Sequence, residues 1–286
     1  MTNKNLRSPI VWIGGKGTLR KWVLAELAEY PHKIYAEPFG GGASVLLGKE
    51  PASVEIYNDL NGGLVNFFRV LADKRQFKQF LRIVSALPRS RKLFYDFRKE
   101  HEHEKNSVVR AAKWFFLARQ SFAGKFAQSW GYSLHSTTRG MAASCSSWIS
   151  VIAGLPEIHA RMQRVQIESL PAIQIIEKYD TPETLFYLDP PYVLDTRVGG
   201  KAYEHEMTDA DHEALVEKLL TIEGAACLSG YEHPVYEPLL KAGWTIKRRE
   251  VACAAAGRTR ASKLLGAGAV RKNGQMRVEC LYCSPR

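Results

Sequence analysis

The sequence predicts an α/β protein, a mainly parallel sheet with helices on both faces, interrupted by a mostly helical insertion. Three observations carry this reading. Short β-rich runs alternate with segments of helical period over residues 33–71 and again from residue 165 onwards. Between about residues 77 and 162 the strand signal largely disappears. Two strand-like runs end in sharp chain-turning motifs, Gly40-Gly41-Gly42 and Asp189-Pro190-Pro191-Tyr192, as expected where the strands of an open parallel sheet meet a ligand. The implied organisation is a discontinuous sheet domain, residues 1–74 and 163–286, with an inserted domain over residues 75–162.

Taken in order, Trp22 to Tyr30 has helical spacing, and Lys33–Phe39 (KIYAEPF) is a short strand candidate stopping at the glycines. Ala43–Lys49 can open a helix, Ser53–Asp59 is a second strand, and Asn61–Leu71 returns to helical period with Leu64, Val65, Phe68 and Leu71 on one face. In the insertion apolar residues recur at helical intervals (Phe80, Leu81, Val84; Leu93, Phe94, Phe97; Trp114, Phe115, Leu117, Ala118), and Gly124–Ser150 reads as irregular loop. Alternation then resumes. Val165–Ser169, Thr184–Leu188, Ala225–Ser229, Trp244–Val251 and Met276–Cys283 are strand candidates. Ala172–Tyr179, Asp209–Ile222 (N-capped by Thr208) and Val235–Ala242 are the helices between them.

Hydrophobic residues make up 45% and charged residues 24% of the 286 positions, ordinary for a globular chain that can bury a sizeable core. No apolar run reaches the roughly 18 residues that span a bilayer, and the first residues lack the layout of a signal peptide. Five scattered cysteines suit free thiols in a reducing cytoplasm better than a disulfide framework. The net charge of +11 points to a polyanionic partner. That charge is localised: residues 69–125 hold 15 Lys/Arg against 5 Asp/Glu, and residues 241–286 hold 11 against 2. The remainder is acidic, so the pattern predicts two basic faces; solvated helix faces would give the same counts.

Glu37-Pro38-Phe39-Gly40-Gly41-Gly42-Ala43-Ser44 lies at a strand-to-helix junction, where glycines let the backbone turn tightly and approach a nucleotide. Asp59, 19 residues past Gly40 at the end of the next strand, is spaced to accept hydrogen bonds from ribose hydroxyls. A plain glycine turn, or a nicotinamide cofactor, also fits this pair. Asp189-Pro190-Pro191-Tyr192 is sharper. Two prolines remove two backbone donors and hold the chain extended. The Asp189 carboxylate and the Pro190 carbonyl are left as adjacent acceptors beside an aromatic ring. An exocyclic amine has two hydrogens to offer such a pair, and the ring can stack on a planar base.

With Trp12-Ile13-Gly14-Gly15-Lys16 near the N-terminus, these motifs resemble, in kind and order, the Dam-type family of adenine-specific DNA methyltransferases. The resemblance extends to Thr208–Leu215 (TDADHEAL), Leu228–Tyr231 (LSGY) and the closing RVECLYC, and is weakest in the insertion. It implies a Rossmann-like methyltransferase fold, S-adenosylmethionine as methyl donor, no metal, and a flipped-out adenine in double-stranded DNA as substrate. Trp12, Lys16, Glu37, Phe39, Gly40 and Gly42 would line the cofactor cleft, and Asp59 would hold the ribose. Asp189 would sit where cofactor and base meet, with Pro190, Pro191 and Tyr192 completing the catalytic turn. A cytoplasmic, nucleoid-associated location follows, in a restriction-modification, regulatory or phage setting.

The insertion departs from the GATC-reading enzymes. Their Asn-Arg…Phe-Asn-Gly pattern here reads Ala118-Arg119-Gln120-Ser121-Phe122-Ala123-Gly124, with both asparagines replaced. Arg119, Phe122, Lys125 and Arg139 are the DNA-contact candidates in the insertion, and Arg258 and Arg260 those in a basic loop near the end. Cys280-x-x-Cys283 lacks a partner pair, and His101-Glu102-His103-Glu104 splays on a helix, so neither reads as a metal site. Methylation of cytosine N4 in DNA or of adenine in RNA uses the same apparatus, and a non-catalytic DNA-binding relative is the rival of a different class.

Overall fold

The computed structural model describes residues 6–12, 14–132, 134–196, 204–252 and 276–286. Its centre is a seven-stranded sheet formed by β1 (Ile34–Glu37), β2 (Val54–Asn58), β5 (Val165–Glu168), β6 (Thr184–Leu188), β7 (Ala225–Gly230), β8 (Thr245–Ala252) and β9 (Met276–Cys283). The order across the sheet is β5-β2-β1-β6-β7-β9-β8. β1, β2, β5, β6 and β7 pair in parallel, and β9 runs antiparallel to both of its neighbours. This is the expected Rossmann-like layout, closed at one end by a reversed strand. All five residues of β6 are buried, which explains why TLFYL reads as an uninterrupted apolar run.

The helices form where apolar spacing and caps coincide. In α2 (Gly62–Ala72) the Asn61 side chain accepts from the Leu64 amide at 2.9 Å, and Leu64, Val65, Phe67, Phe68, Val70 and Leu71 are buried. α8 (Asp209–Leu219) opens with a reciprocal capping box between Thr208 and Asp211. α1 (Arg20–Leu27) and α7 (Ala172–Tyr179) lie where the periodicity predicts them. The inserted segment comprises α3 (Lys74–Ala86), α4 (Arg91–Glu100), α5 (Ser107–Gln120) and α6 (Ala143–Met162), with a small hairpin, β3 (Thr137–Thr138) and β4 (Met141–Ala142). Phe80 and Phe115 of these helices share one buried cluster with Phe67 of α2 and Tyr57 of β2.

Three segments differ from expectation. Ala43–Lys49 makes turns rather than a helix: Ala43 sits at φ 53°, and only two helical bonds, Leu47 N–H to the Ala43 carbonyl and Lys49 N–H to the Val45 carbonyl at 3.0 Å each, close before the chain leaves. The last eight residues of the predicted irregular stretch are helical, because Trp148 of α6 buries against Phe115 and Phe116 and its Nε1–H donates to the Leu87 carbonyl at 2.9 Å. Val235–Ala242 is a 3-10 turn (Pro234–Tyr236) followed by the short α9 (Glu237–Lys241), interrupted where Pro238 withholds an amide.

One buried ion pair ties the insertion to the sheet. Arg161 of α6 grips both carboxylate oxygens of Glu55 on β2, with Nη2 at 2.8 Å from Oε1 and 3.0 Å from the Leu46 carbonyl. Lys49 Nζ approaches the same carboxylate at 3.2 Å. Glu55 is 1% and Arg161 6% exposed, so neither charge has water to fall back on. Arg161→Ala is therefore expected to lower unfolding free energy by about 3–5 kcal/mol in urea titrations, the cost of stranding a buried charge. A loss under about 1 kcal/mol would show that the pair is no tether.

Candidate active site

β1 and β6 are neighbours, but the chain continues from β1 to β2 on one side and from β6 to β7 on the other. Such a switch point opens a crevice beyond the carboxyl ends of the two strands. A cavity of about 310 Å³ lies there. Trp12, Lys16, Glu37, Phe39, Gly40, Gly42, Asp59 and Asp189 all line it, as does Pro191. Pro190 is buried beneath, and Tyr192 lies just outside the lining.

The glycine loop is shaped by its neighbours. A Cβ on Gly40 would fall 2.3 Å from the Tyr57 ring, so no side chain fits there. Gly41 takes φ +47°, a backbone state that favours glycine. The Tyr57 hydroxyl donates to the Gly41 carbonyl at 2.8 Å, and Asn58 Nδ2 donates to the Pro38 carbonyl at 2.8 Å. The end of β2 thus clamps the loop that follows β1. Asp59 completes the clamp, accepting from the Gly41 and Asn61 amides at 2.8 Å each. Burial raises its pKa, and those amides pull it back down. Its remaining lone pairs suit a diol on the cavity wall.

Glu37 ends β1 at 2% exposure and accepts from the Tyr35 hydroxyl at 2.8 Å. Desolvation pushes its pKa up to about 8. Asp189 is also raised by burial, while Lys16 opposes the rise. Lys16 Nζ stands 2.5 Å from Asp189 Oδ1, 3.4 Å from Glu279 Oε1 and 4.9 Å from the centre of the Tyr192 ring. The Tyr192 hydroxyl donates to the same Glu279 oxygen, and the edge of Tyr231 packs on its ring at 4.8 Å.

Glu279 was not anticipated from the sequence. It reaches the site because β9 runs backwards: Cys280 pairs with Gly230 at the end of β7, so Glu279 lies one step beyond the carboxyl edge. The available signal was a lone carboxylate in the alternating run MRVECLYC. A further unforeseen connection is Trp12, whose indole lies 5.8 Å from Trp114 and 6.4 Å from Phe126, joining the cavity wall to the insertion.

The DNA-contact candidates divide. Phe122 (45% exposed) and Lys125 face solvent. Arg139 is exposed but donates to Ser146 Oγ at 2.8 Å and to the Ser146 carbonyl at 2.7 Å, bracing the hairpin on α6. Arg119 is largely withdrawn from solvent, with Nη2 on Ser147 Oγ at 2.7 Å and its pKa lowered by desolvation. Arg258 and Arg260 lie outside the described residues. Beside the candidates, Trp130 and Tyr132 stack at 5.7 Å with the Arg91 guanidinium over both rings.

Glu37 sets a pH dependence. Its folded pKa, about 8, exceeds the ordinary glutamate value of 4.5, so between these values the native state binds more protons than the unfolded chain. Stability contributed by this group is therefore lost as pH rises through that window. Glu37→Gln is expected to match wild type in Tm near pH 5 and to exceed it by several degrees above about pH 8. Parallel Tm profiles would mean that Glu37 is ionised throughout.

No curated protein matches the sequence. Solved structures that resemble it include an rRNA methyltransferase, AviRa, from Streptomyces viridochromogenes (TM-score 0.36, 11% identity, covering 92% of this chain and 80% of that one). Another is a candidate RNA methyltransferase from Pyrococcus horikoshii (TM-score 0.35, 10% identity, covering 99% and 90%). The family model for the D12 class N6 adenine-specific DNA methyltransferases matches residues 12–232, from Trp12 through the glycine loop, the insertion and the Asp189–Tyr192 turn. With that match over most of its length, the chain belongs to the D12 class of N6 adenine-specific DNA methyltransferases.

Proposed function

We propose that the chain methylates N6 of an adenine rotated out of double-stranded DNA, with the Asp189 carboxylate and the Pro190 carbonyl as the acceptor pair for the amine. The observation that carries this reading is the meeting of the glycine loop and the Asp189–Tyr192 turn across one cavity at the switch point. The residues present fit S-adenosylmethionine: a close backbone approach at Gly40, an amide-held carboxylate at Asp59 and an aromatic wall at Trp12 and Phe39. When bound, that cofactor supplies a methyl group already activated on a sulfonium.

This chain's own residues then orient and hold. Asp59 takes the ribose hydroxyls, and Phe39 and Trp12 give the adenosine and methionine ends apolar walls. An adenine amine is a weak nucleophile because its lone pair is delocalised into the ring. Hydrogen bonds to Asp189 and the Pro190 carbonyl draw the nitrogen towards tetrahedral geometry and offset the positive charge that develops on it. Tyr192 offers a ring to the extrahelical base, recovering part of the few kcal/mol that flipping costs. Positioning supplies much of the remainder, and the scheme needs neither a metal nor a covalent enzyme intermediate. Phe122, Lys125 and Arg139 are assigned to the DNA face, with Arg119 supporting it through Ser147. The inserted residues 75–162 serve as the recognition domain, and the protein works in the compartment that holds the DNA, the cytoplasm and its nucleoid.

The test is transfer of labelled methyl groups to unmodified genomic DNA, with nucleosides separated by mass spectrometry. N6-methyladenine is expected; label on cytosine, or on RNA in preference to DNA, would replace the assignment. Asp189→Ala is expected to lose at least about 10³-fold in kcat while its circular dichroism stays that of a folded chain, even though the stranded Lys16 ammonium lowers its melting temperature. Turnover persisting in that variant would sink the acceptor-pair mechanism. Lys125→Ala is expected to weaken DNA binding alike on all sequences and to lower the salt-dependence slope by about one counterion. An unchanged slope in filter binding would remove Lys125 from the DNA face.

A further inference from the structure

Lys16 presents a difficulty for the reaction. One oxygen of the acceptor that the adenine amine needs, Oδ1 of Asp189, is engaged by the Lys16 ammonium at 2.5 Å. For the amine to bond at that oxygen, the ammonium has to loosen its hold, and at 6% side-chain exposure it has little water to turn to. A buried ammonium that leaves one carboxylate without gaining another loses several kcal/mol. Glu279 Oε1, 3.4 Å from the same nitrogen and itself 6% exposed, is already placed to receive it. The same oxygen accepts from the Tyr192 hydroxyl, so the carboxylate that would draw Lys16 aside also steadies the ring beside the base.

We infer that Glu279 is a positioning residue of methyl transfer: it takes the Lys16 ammonium off Asp189 when the target amine arrives. The exchange moves no atom between molecules. An ion pair between Lys16 and Asp189 is replaced by one between Lys16 and Glu279, and the vacated Asp189 oxygen accepts the amine N–H. Lys16 faces both Asp189 and Glu279 throughout, so the vacated Asp189 keeps negative charge to balance what builds on the amine nitrogen. Glu279 lies past residue 232, beyond the stretch matched by the family model, and β9 alone brings it to the cavity edge. The inference rests on the methyl-transfer reading above, and it assigns to Glu279 a role through Lys16, not contact with the base.

A double-mutant cycle tests it, using wild type, Glu279→Gln, Lys16→Met and the double variant on unmethylated genomic DNA at saturating cofactor. Cofactor affinity is measured separately by calorimetry. Glu279→Gln leaves Lys16 with Asp189 as its carboxylate, so kcat is expected to fall about 30-fold while KM for DNA and cofactor affinity stay within about threefold. In the Lys16→Met background there is no ammonium to draw off, so the same substitution is expected to change kcat by less than about threefold. A kcat for Glu279→Gln within threefold of wild type would overturn the proposal, as it would if Lys16 passed instead to the cofactor's carboxylate. Equal losses with and without Lys16 would also overturn it, because Glu279 would then act on structure or on Tyr192 alone. Should Glu279→Gln fail to fold, Glu279→Asp, which keeps the charge and shortens the reach, is read through the same cycle with the same expected coupling. The wild-type arm separates the two readings: no methyl group on adenine refutes the function, whereas an active wild type with an uncoupled cycle refutes only the role of Glu279.

Discussion

The short ion pair between Lys16 and Asp189 joins the segment ahead of the first strand to the turn after the fourth strand of the sheet, across the cavity that both enclose. The rest of the N-terminal segment is anchored on the insertion side, by Ile10 in the core and Trp12 against Trp114. With the ion pair, Gly14, Gly15 and Lys16 form a wall facing the glycine loop. The sheet supplies the distance that the pair spans, because β1 and β6 are adjacent and their following loops diverge. The architecture thus reduces to two loops held apart by strand spacing and one charge contact closing the third side.

Three of the carboxylates that line this small space are tolerated for different reasons. Asp59 is held by backbone amides, Asp189 by an ammonium, and Glu37 by a buried hydroxyl and a pKa near 8 that keeps it mostly neutral at physiological pH. Had all three been ionised and unpaired, their mutual repulsion at low dielectric would have opened the crevice. Glu279 adds a further carboxylate at the rim, and it shares the ammonium already present.

Much of this was legible in the sequence. The eight residues expected around the cofactor line one cavity because their motifs follow strands, and a parallel sheet gathers the ends of its strands at one edge. β6, α7 and β9 lie where run length and periodicity put them. What escaped depended on contacts remote in sequence. Ala43–Lys49 has helical composition, yet its turn is dictated by Gly41 and by Arg161, more than a hundred residues on, holding the Leu46 carbonyl. Helix α6 starts in a Ser-rich stretch that local propensity reads as loop, and burial of Trp148 overrides it. Arg119, a DNA-contact candidate by sequence, donates to Ser147 in α6, a partner 28 residues on that its own surroundings do not announce. Glu279 was invisible because its function depends on strand direction, which a single alternating run does not reveal.

That reversed strand also governs when the site comes into being. β9 fills the place between β7 and β8, so the edge strand β8 cannot join the sheet until β9 is in place. On a chain emerging from the ribosome, the glycine loop, Asp59 and the Asp189 turn can all be in place while β9 is still unmade. The ammonium of Lys16 would then have Asp189 before it had Glu279. The carboxylate that reaches the ammonium last is thus the one carried by the strand that links the parallel part of the sheet to its edge.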